Sequence, residues 1–494
     1  MRYARCSIRV VAPKSLCLRA LPSLESRPQP PGNGWRRREV QRGFSALVAL
    51  ALAVVTAFSA QAAERYVDRN SRSEKSEGTA ASPWKTLKEA AEMLQPGDVC
   101  WIRSGDYRET LRPARSGTAA QPIVYKAAPG ATVRINGCDE LPASKSWTAW
   151  GNTGKVYQTS IELPLKDGDQ VFLNRSMLIE ARWPNVGTEA AQSDKWLLES
   201  ALAVAAPGTD RGELQFTLPV SSYDQSVNPT GARIWVTPYP HQGWCNYTAK
   251  VDAFNASTRT LTCSLAAAIP ERWEKCKVSV GENRYYLSGL LGFLDSQKEY
   301  FYDRGTDTLY VYRADGTVPP AGSVEYKVRQ TGIDLRGRSH IRVEGLKLFG
   351  CGLLSDEQTA QIVLDRLEAR YISHWGSAVC HGQQPASVAP TGIQLLGSGM
   401  ELRNSVIDGS WGNGVDVRGK ENTVLNNRIL NCNYFGLYYA SVNVSGTGHF
   451  ISYNTVLRSG RSLLGGSFQR VQITHNEMGY ANMVSADGAC IYLG

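Results

Sequence analysis

Four successive blocks decide the fold: MELRNSVIDGSWGNGVDV (400–417), TVLNNRILNCNYFGLYY (423–439), FISYNTVLRSGRSLLG (450–465) and VQITHNEMGYANMVSADGACIYLG (471–494). Each holds a short run alternating apolar and polar residues, an Asn, two further apolar positions, a small polar turn and a second alternating run. The asparagines Asn404, Asn427, Asn454 and Asn476 fall 23, 27 and 22 residues apart. A period in the low twenties, built of short strands without helical periodicity or a Leu-x-x-Leu-x-Leu signature, predicts a solenoid. The expected form is all-β, a right-handed parallel β-helix whose turns stack about 4.8 Å apart. Stacking would bring the four asparagines into one column, where their amides bond along the axis. They are therefore read as structural residues.

The rest of the 494-residue chain divides around this segment. Residues 1–63 hold ten Lys/Arg and two Asp/Glu, so most of the formal charge of +9 sits there. The remainder carries 44 basic and 43 acidic residues, a balance that supports no charge-driven affinity for nucleic acid or anionic membrane. Arg36, Arg37, Arg38 and Arg42 precede an apolar run at 46–55 and a small-x-small site at Ala60 and Ala62. This is the pattern of a secretion signal cleaved near Ala62, which makes the mature protein secreted, periplasmic or surface-bound. The run is too short to span a bilayer, and no membrane span is expected in the mature chain. Residues 1–39 match no folded element, and translation is expected to begin at Val40. Export permits disulfides. Of eleven cysteines, Cys6 and Cys17 belong to the leader, and the others contain no C-x-x-C. Cys245, Cys263 and Cys276 lie close enough in sequence for one pair to bridge.

Residues 64–139 read as an N-terminal cap with the first coils. A helix is expected from Pro83 to Leu94, with Ser82 as its cap and Pro83 in its first turn. Leu87, Ala90, Ala91 and Leu94 form its apolar face, suited to covering the open first coil. Residues 140–330 break the rhythm with longer strands rich in Trp and Tyr, and read as an inserted antiparallel β domain, a sandwich or barrel. Coils return over 331–494, with an expanded loop at 376–398. The chain stops inside a strand at Gly494 with nothing to cap the last coil. A partial sequence, followed by a further ordered domain, is expected.

Several spaced motifs carry a resemblance. Tyr66-Val-Asp, Ser82-Pro-Trp-Lys-Thr-Leu, Gln95-Pro-Gly-Asp, Ile102-Arg-Ser-Gly-Asp-Tyr-Arg and Pro122-Ile-Val-Tyr resemble the cap and first coils of secreted, pectin-lyase-like β-helix proteins. Glu180-Ala-Arg-Trp-Pro-Asn, and Tyr300-Phe-Tyr-Asp with Thr308-Leu-Tyr-Val-Tyr, resemble segments of β-helix glycoside hydrolases, the group with α-L-fucosidase and xylanase members. The resemblance implies a carbohydrate-active enzyme. It also implies a role for Asp487, because Ser485-Ala-Asp-Gly-Ala-Cys-Ile-Tyr resembles a stretch that lies at the groove of those hydrolases.

Aligning the blocks after the polar turn places Asp416, Tyr438, Leu464 and Cys490 at equivalent, outward positions. Asp416 and Asp487 are the carboxylates considered for acid/base chemistry. Cleavage of a glycoside needs two carboxyls about 5–5.5 Å apart for retention or 6.5–9.5 Å for inversion. Three coils between Asp416 and Asp487 span about 14 Å, so the two make a poor pair. The expected partner of Asp487 lies beyond Gly494. Tyr438, Trp411 and Trp375 offer flat faces for sugar rings, and His381 and Arg461 complete the expected substrate contacts. The partner is thus a polysaccharide or oligosaccharide, with no cofactor and no metal. A polysaccharide lyase or uronate epimerase is the alternative, with an Arg base such as Arg418, Arg458 or Arg461 and Ca²⁺ as a possible ion. No acidic cluster of calcium-ligand spacing is present. A non-catalytic carbohydrate-binding β-helix is the third reading.

Overall fold

The computed structural model describes residues 5–7, 62–187, 198, 201–238, 245–379 and 392–493. Most of the expected leader, and His381, lie outside them. The described chain is predominantly β, and three of its sheets are ladders of parallel strands, apart from one edge strand at Arg5–Ser7. One runs from Glu64–Val67 through Ile341–Glu344, Val363–Asp365, Glu401–Arg403, Thr423–Leu425 and Phe450–Ser452 to Gln472–Thr474. The second includes Lys347–Phe349, Glu368–Ser373, Val406–Ser410, Arg428–Cys432, Thr455–Ser459 and Glu477–Gly479. The third runs from Thr331–Asp334 to Ile491–Leu493. From Ile341 onward the chain visits first, second and third sheet in strict rotation. Arg5–Ser7 pairs antiparallel with Glu477–Gly479, so the expectation that 1–39 holds no element fails there.

In-register apolar residues explain why these short strands persist. Val343, Leu364, Leu402, Val424 and Ile451 are fully buried, each stacked on its counterpart one coil away. Their Cβ-branched or γ-branched side chains fill the interior between the sheets, and their neighbours point outward.

The asparagine column forms, shifted at one end. Asn427 Nδ2 donates to Asn454 Oδ1 at 3.0 Å, and Asn454 Nδ2 to Asn476 Oδ1 at 2.9 Å. The residue that continues this column is Ser405, whose N–H donates to Asn427 Oδ1 at 2.9 Å. Asn404 stands one position earlier, beside Asn426, whose Nδ2 donates to its Oδ1 at 2.8 Å. The expectation for Asn404 is thus corrected by one residue. Asn404 and Asn426 have φ of 53° and 54°, a conformation that Asn tolerates because its short amide relieves the crowding.

The helix is shorter than expected, Leu87–Met93, and Thr86 caps it in place of Ser82. Thr86 Oγ1 accepts from the Glu89 N–H at 3.1 Å, and the Glu89 carboxylate accepts from the Thr86 N–H at 2.9 Å. This reciprocal box satisfies two otherwise unpaired donors. Leu87, Ala90 and Ala91 are buried against the first coils.

Between Cys138 and Lys327 the strands pair mainly antiparallel in three further sheets, of four, five and eight strands. The largest encloses its own apolar core, including Phe216, Ile234, Val251, Leu261 and Leu287. Cys245 and Cys276 are bridged, while Cys263 is a buried thiol.

Candidate functional site

Asp487 lies in the turn that leads into the last strand of the third sheet. Asn482 Nδ2 donates to Gly488 O at 2.8 Å and closes that turn. A Cβ on Gly488 would press on the Asn482 and Arg461 side chains, which would have to shift to admit it. Arg461, from the preceding coil, is only 2% exposed. Its Nη2 meets Asp487 Oδ2 at 3.0 Å and its Nε donates to the Asp487 carbonyl. The same guanidinium lies 3.9 Å from the ring centre of Tyr438 and 5.1 Å from that of Tyr492. The two tyrosines meet edge to face at 6.4 Å. Asp487 keeps 37% of its side chain open and Tyr438 is 45% exposed. Asp487, Arg461 and Tyr438, named from sequence, therefore share one solvent-facing cluster. Tyr492 joins it and was not named.

The other sequence-derived residues lie elsewhere. Asp416 pairs in register with Asn443, and Asn443 with Gly465, which pairs with Tyr492. The expected alignment of Asp416 with Tyr438, Leu464 and Cys490 is corrected: Tyr438 belongs to a loop ahead of the strand Ala440–Thr447. The extra loop residues account for the 27-residue spacing there. Two strands separate that of Asp416 from that of Tyr492, so the structure does not bring Asp416 to Asp487. Asp416 is buried, holds Arg418 by two bonds of 3.2 and 2.8 Å, and accepts from Asn443 Nδ2 at 2.8 Å. Trp411 is fully buried against Phe435 and Tyr439. It offers no face to a sugar, which corrects that expectation. Trp375 is 9% exposed and lines a cavity.

This cavity, of about 120 Å³, lies where the antiparallel sheets meet the coils. Met483 and Val484, from the turn that carries Asp487, form part of its wall. Glu180 faces it, held by Arg233 at 3.1 Å and Ser288 Oγ at 2.8 Å. Arg233 also reaches Asp167 at 3.2 Å. His374 Nδ1 lies 2.6 Å from the Tyr434 hydroxyl. Burial, with help from the Lys327 and Arg233 charges, pushes the His374 pKa down to about 3, so the ring is neutral. Lys327 bonds Gln170 Oε1 at 3.2 Å, and burial pushes its pKa down to about 8. Sequence reasoning missed this set. Glu180 opens the Ala181-Arg182-Trp183-Pro184 segment and was within reach. Nothing in local spacing connects it to His374.

Among the described residues no three His, Cys, Asp or Glu side chains converge as a metal-ligand set. Among the same residues no helix is long and apolar enough to cross a membrane.

No model of a known protein family matches the chain. A stretch of 72 residues is 39% identical to the uncharacterized protein YwoF of Bacillus subtilis (strain 168), spanning 15% of this chain and 15% of that protein. Among solved structures, one described as a glycoside hydrolase is similar at 14% identity and a TM-score of 0.48, over 87% of this chain and 96% of its own. XylC in complex with xylose is similar at 14% identity and a TM-score of 0.46, over 84% of this chain and 62% of its own. The lacto-N-biosidase of Eubacterium ramulus follows at 10% identity and a TM-score of 0.33, over 83% and 55%.

Proposed function

We propose that the three-sheet winding is a right-handed parallel β-helix with an inserted β domain, and that the protein is an exported glycoside hydrolase of plant or algal polysaccharide. The observation that carries this reading is Asp487: a solvent-open carboxylate, held in place by a buried arginine that also packs on the exposed ring of Tyr438. A sugar ring stacks its apolar face on an aromatic, and a fixed carboxylate beside it meets the glycosidic oxygen or anomeric carbon. The motif resemblance around Asp487 and along residues 180–185 supports the same assignment. Asp487 is one carboxylate of the pair that hydrolysis uses. Asp416, buried under Arg418, is assigned a structural role.

The lyase reading is disfavoured because the arginines available as bases are engaged. Arg461 is tied to Asp487, Arg418 to Asp416, and Arg458 Nε donates to Asn431 Oδ1 at 2.9 Å. The deciding assay is reducing-sugar release from a polysaccharide panel by the native protein and by Asp487→Asn. Hydrolysis should be lost with sugar binding retained. Unsaturated products would indicate a lyase. Binding without turnover in the native protein would indicate a carbohydrate-binding module.

A further inference from the structure

A second set of exposed side chains lies at another corner of the winding, between the first and second sheets. Arg366, Asn404, Asn426, Tyr453 and His475 occupy the equivalent position in successive coils, each directly after a strand of the first sheet. All five are exposed and all have φ between 53° and 58°. This left-handed conformation suits Asn, and is an outlier for a bulky aromatic such as Tyr. Two coils nevertheless replace the amide by a ring, at a cost in backbone free energy.

The two rings are organised. Tyr453 and His475 stack at 4.7 Å between centroids and 5° between planes. The imidazole backs one face of Tyr453, and the tyrosine stays 56% exposed. Asn426 and Asn404 form the floor next to it, joined amide to amide at 2.8 Å. Arg366 closes the row, and its charge is met by Asp365 at 2.7 Å and Glu344 at 3.2 Å. The result is a charge-balanced step with an aromatic wall and an amide floor, running along the stacking axis.

We infer that this step is a second carbohydrate-binding surface, separate from the Asp487 cluster, that seats an uncharged glycan chain. A pyranose ring packs against the exposed ring of Tyr453, and its hydroxyls meet the amides of Asn426 and Asn404. Flat aromatic area and neutral amides match a sugar's apolar face and hydroxyl rim. Charge balance on the row favours a neutral chain over a uronate. The inference rests on the carbohydrate reading above and extends it to a distinct corner.

The test uses the full chain in affinity electrophoresis through gels holding xylan, a neutral glucan or polygalacturonate. Native protein, Tyr453→Asn, the Tyr453→Asn/His475→Asn double variant and Asp487→Asn are compared, with thermal midpoints for each. Tyr453→Asn installs the residue of the neighbouring coil. It should weaken retardation by a neutral glycan about three- to tenfold, the usual worth of one aromatic contact, and leave the thermal midpoint equal or higher. Unchanged retardation of the double variant, beside a retarded native protein, overturns the inference and spares the carbohydrate reading. A lower midpoint for Tyr453→Asn with unchanged retardation makes the ring structural and also overturns it. If no gel retards the native protein and no glycan is cleaved, the carbohydrate reading falls and takes this inference with it.

Discussion

Arg461 is 2% exposed, yet it holds, across 3.0 Å, the Asp487 carboxylate, of which 37% faces solvent. The buried cation lies 3.9 Å from the ring centre of Tyr438 and 5.1 Å from that of Tyr492, and is bonded to both the carboxylate and the carbonyl of one residue. A planar guanidinium with several fixed donors suits that double contact, and it sets the direction of the carboxylate more than its charge.

Arg461→Lys keeps the charge and loses the fork. If Asp487 works on a glycosidic bond, its misdirection should cut kcat by about 10²-fold with KM little changed. Steady-state kinetics on a soluble oligosaccharide would check this. A native kcat in the lysine variant would show that orientation by Arg461 is irrelevant. Arg461→Ala should also destabilise by about 1–2 kcal/mol, mostly through lost packing, since the exposed partner screens the ion pair.

If the protein cleaves glycosides as proposed, Asp416→Asn should leave that activity intact. The carboxylate is buried and its fork to Arg418 is partly solvent-screened, the arginine side chain being 54% exposed. The expected cost is about 1 kcal/mol in urea unfolding. A large fall in kcat at unchanged stability would return Asp416 to the chemistry.

Asn454→Ala should be among the most damaging substitutions in the winding. Its amide donates to Val424 O at 2.8 Å and to Asn476, and accepts from the Asn427 N–H and Nδ2 at 2.9 and 3.0 Å. Removing it strands buried groups in two coils, at about 3 kcal/mol. Asn404→Ala, at an exposed position, should cost less than about 1 kcal/mol. Equal midpoints for the two variants would contradict the shifted column.

Stability should be flat in mildly acidic solution and fall on both sides. Burial, with the Asp295 charge second, pushes the Glu299 pKa from 4.5 up to about 8. Between those values the folded state binds the extra proton, so this residue's contribution is lost as pH rises toward 8. His374 runs the other way, from 6.5 down to about 3, so the unfolded state takes the proton and stability is lost as pH falls through that window. Between 4.5 and 6.5 the two slopes cancel. Glu299→Gln should flatten the alkaline limb and His374→Asn part of the acid limb, in thermal midpoints read from pH 3.5 to 8.5, a range chosen to bracket both shifts. An unchanged alkaline limb in Glu299→Gln would show that the carboxyl is not the source.

Much of this was legible from residues alone. Alternating apolar positions and recurring asparagines fix strand length, coil repeat and the existence of a polar column. Asp487, Arg461 and Tyr438 were each legible as candidates, and the structure brings the three together. The register was not. Asn426 and Asn427 are adjacent, and either suits a column, one by tolerating a left-handed φ and the other by bonding inward. Only one of the corresponding pair, Asn404 and Ser405, is an asparagine, and it takes the outer role.

Composition and period by themselves determined that short strands would stack and what would fill their interior, because burying apolar faces depends on local pattern. The winding decided the rest. A strand's side chains alternate every residue, so a slip of one changes every neighbour a residue meets. It left Trp411 in the core, put Asn443 beside Asp416, and carried Arg461 to a carboxylate 26 residues away. The junction cavity brings Glu180 and His374 together from distant segments, with Arg233 bonded to Glu180, and no local signal anticipates contacts that exist only once the sheets have docked.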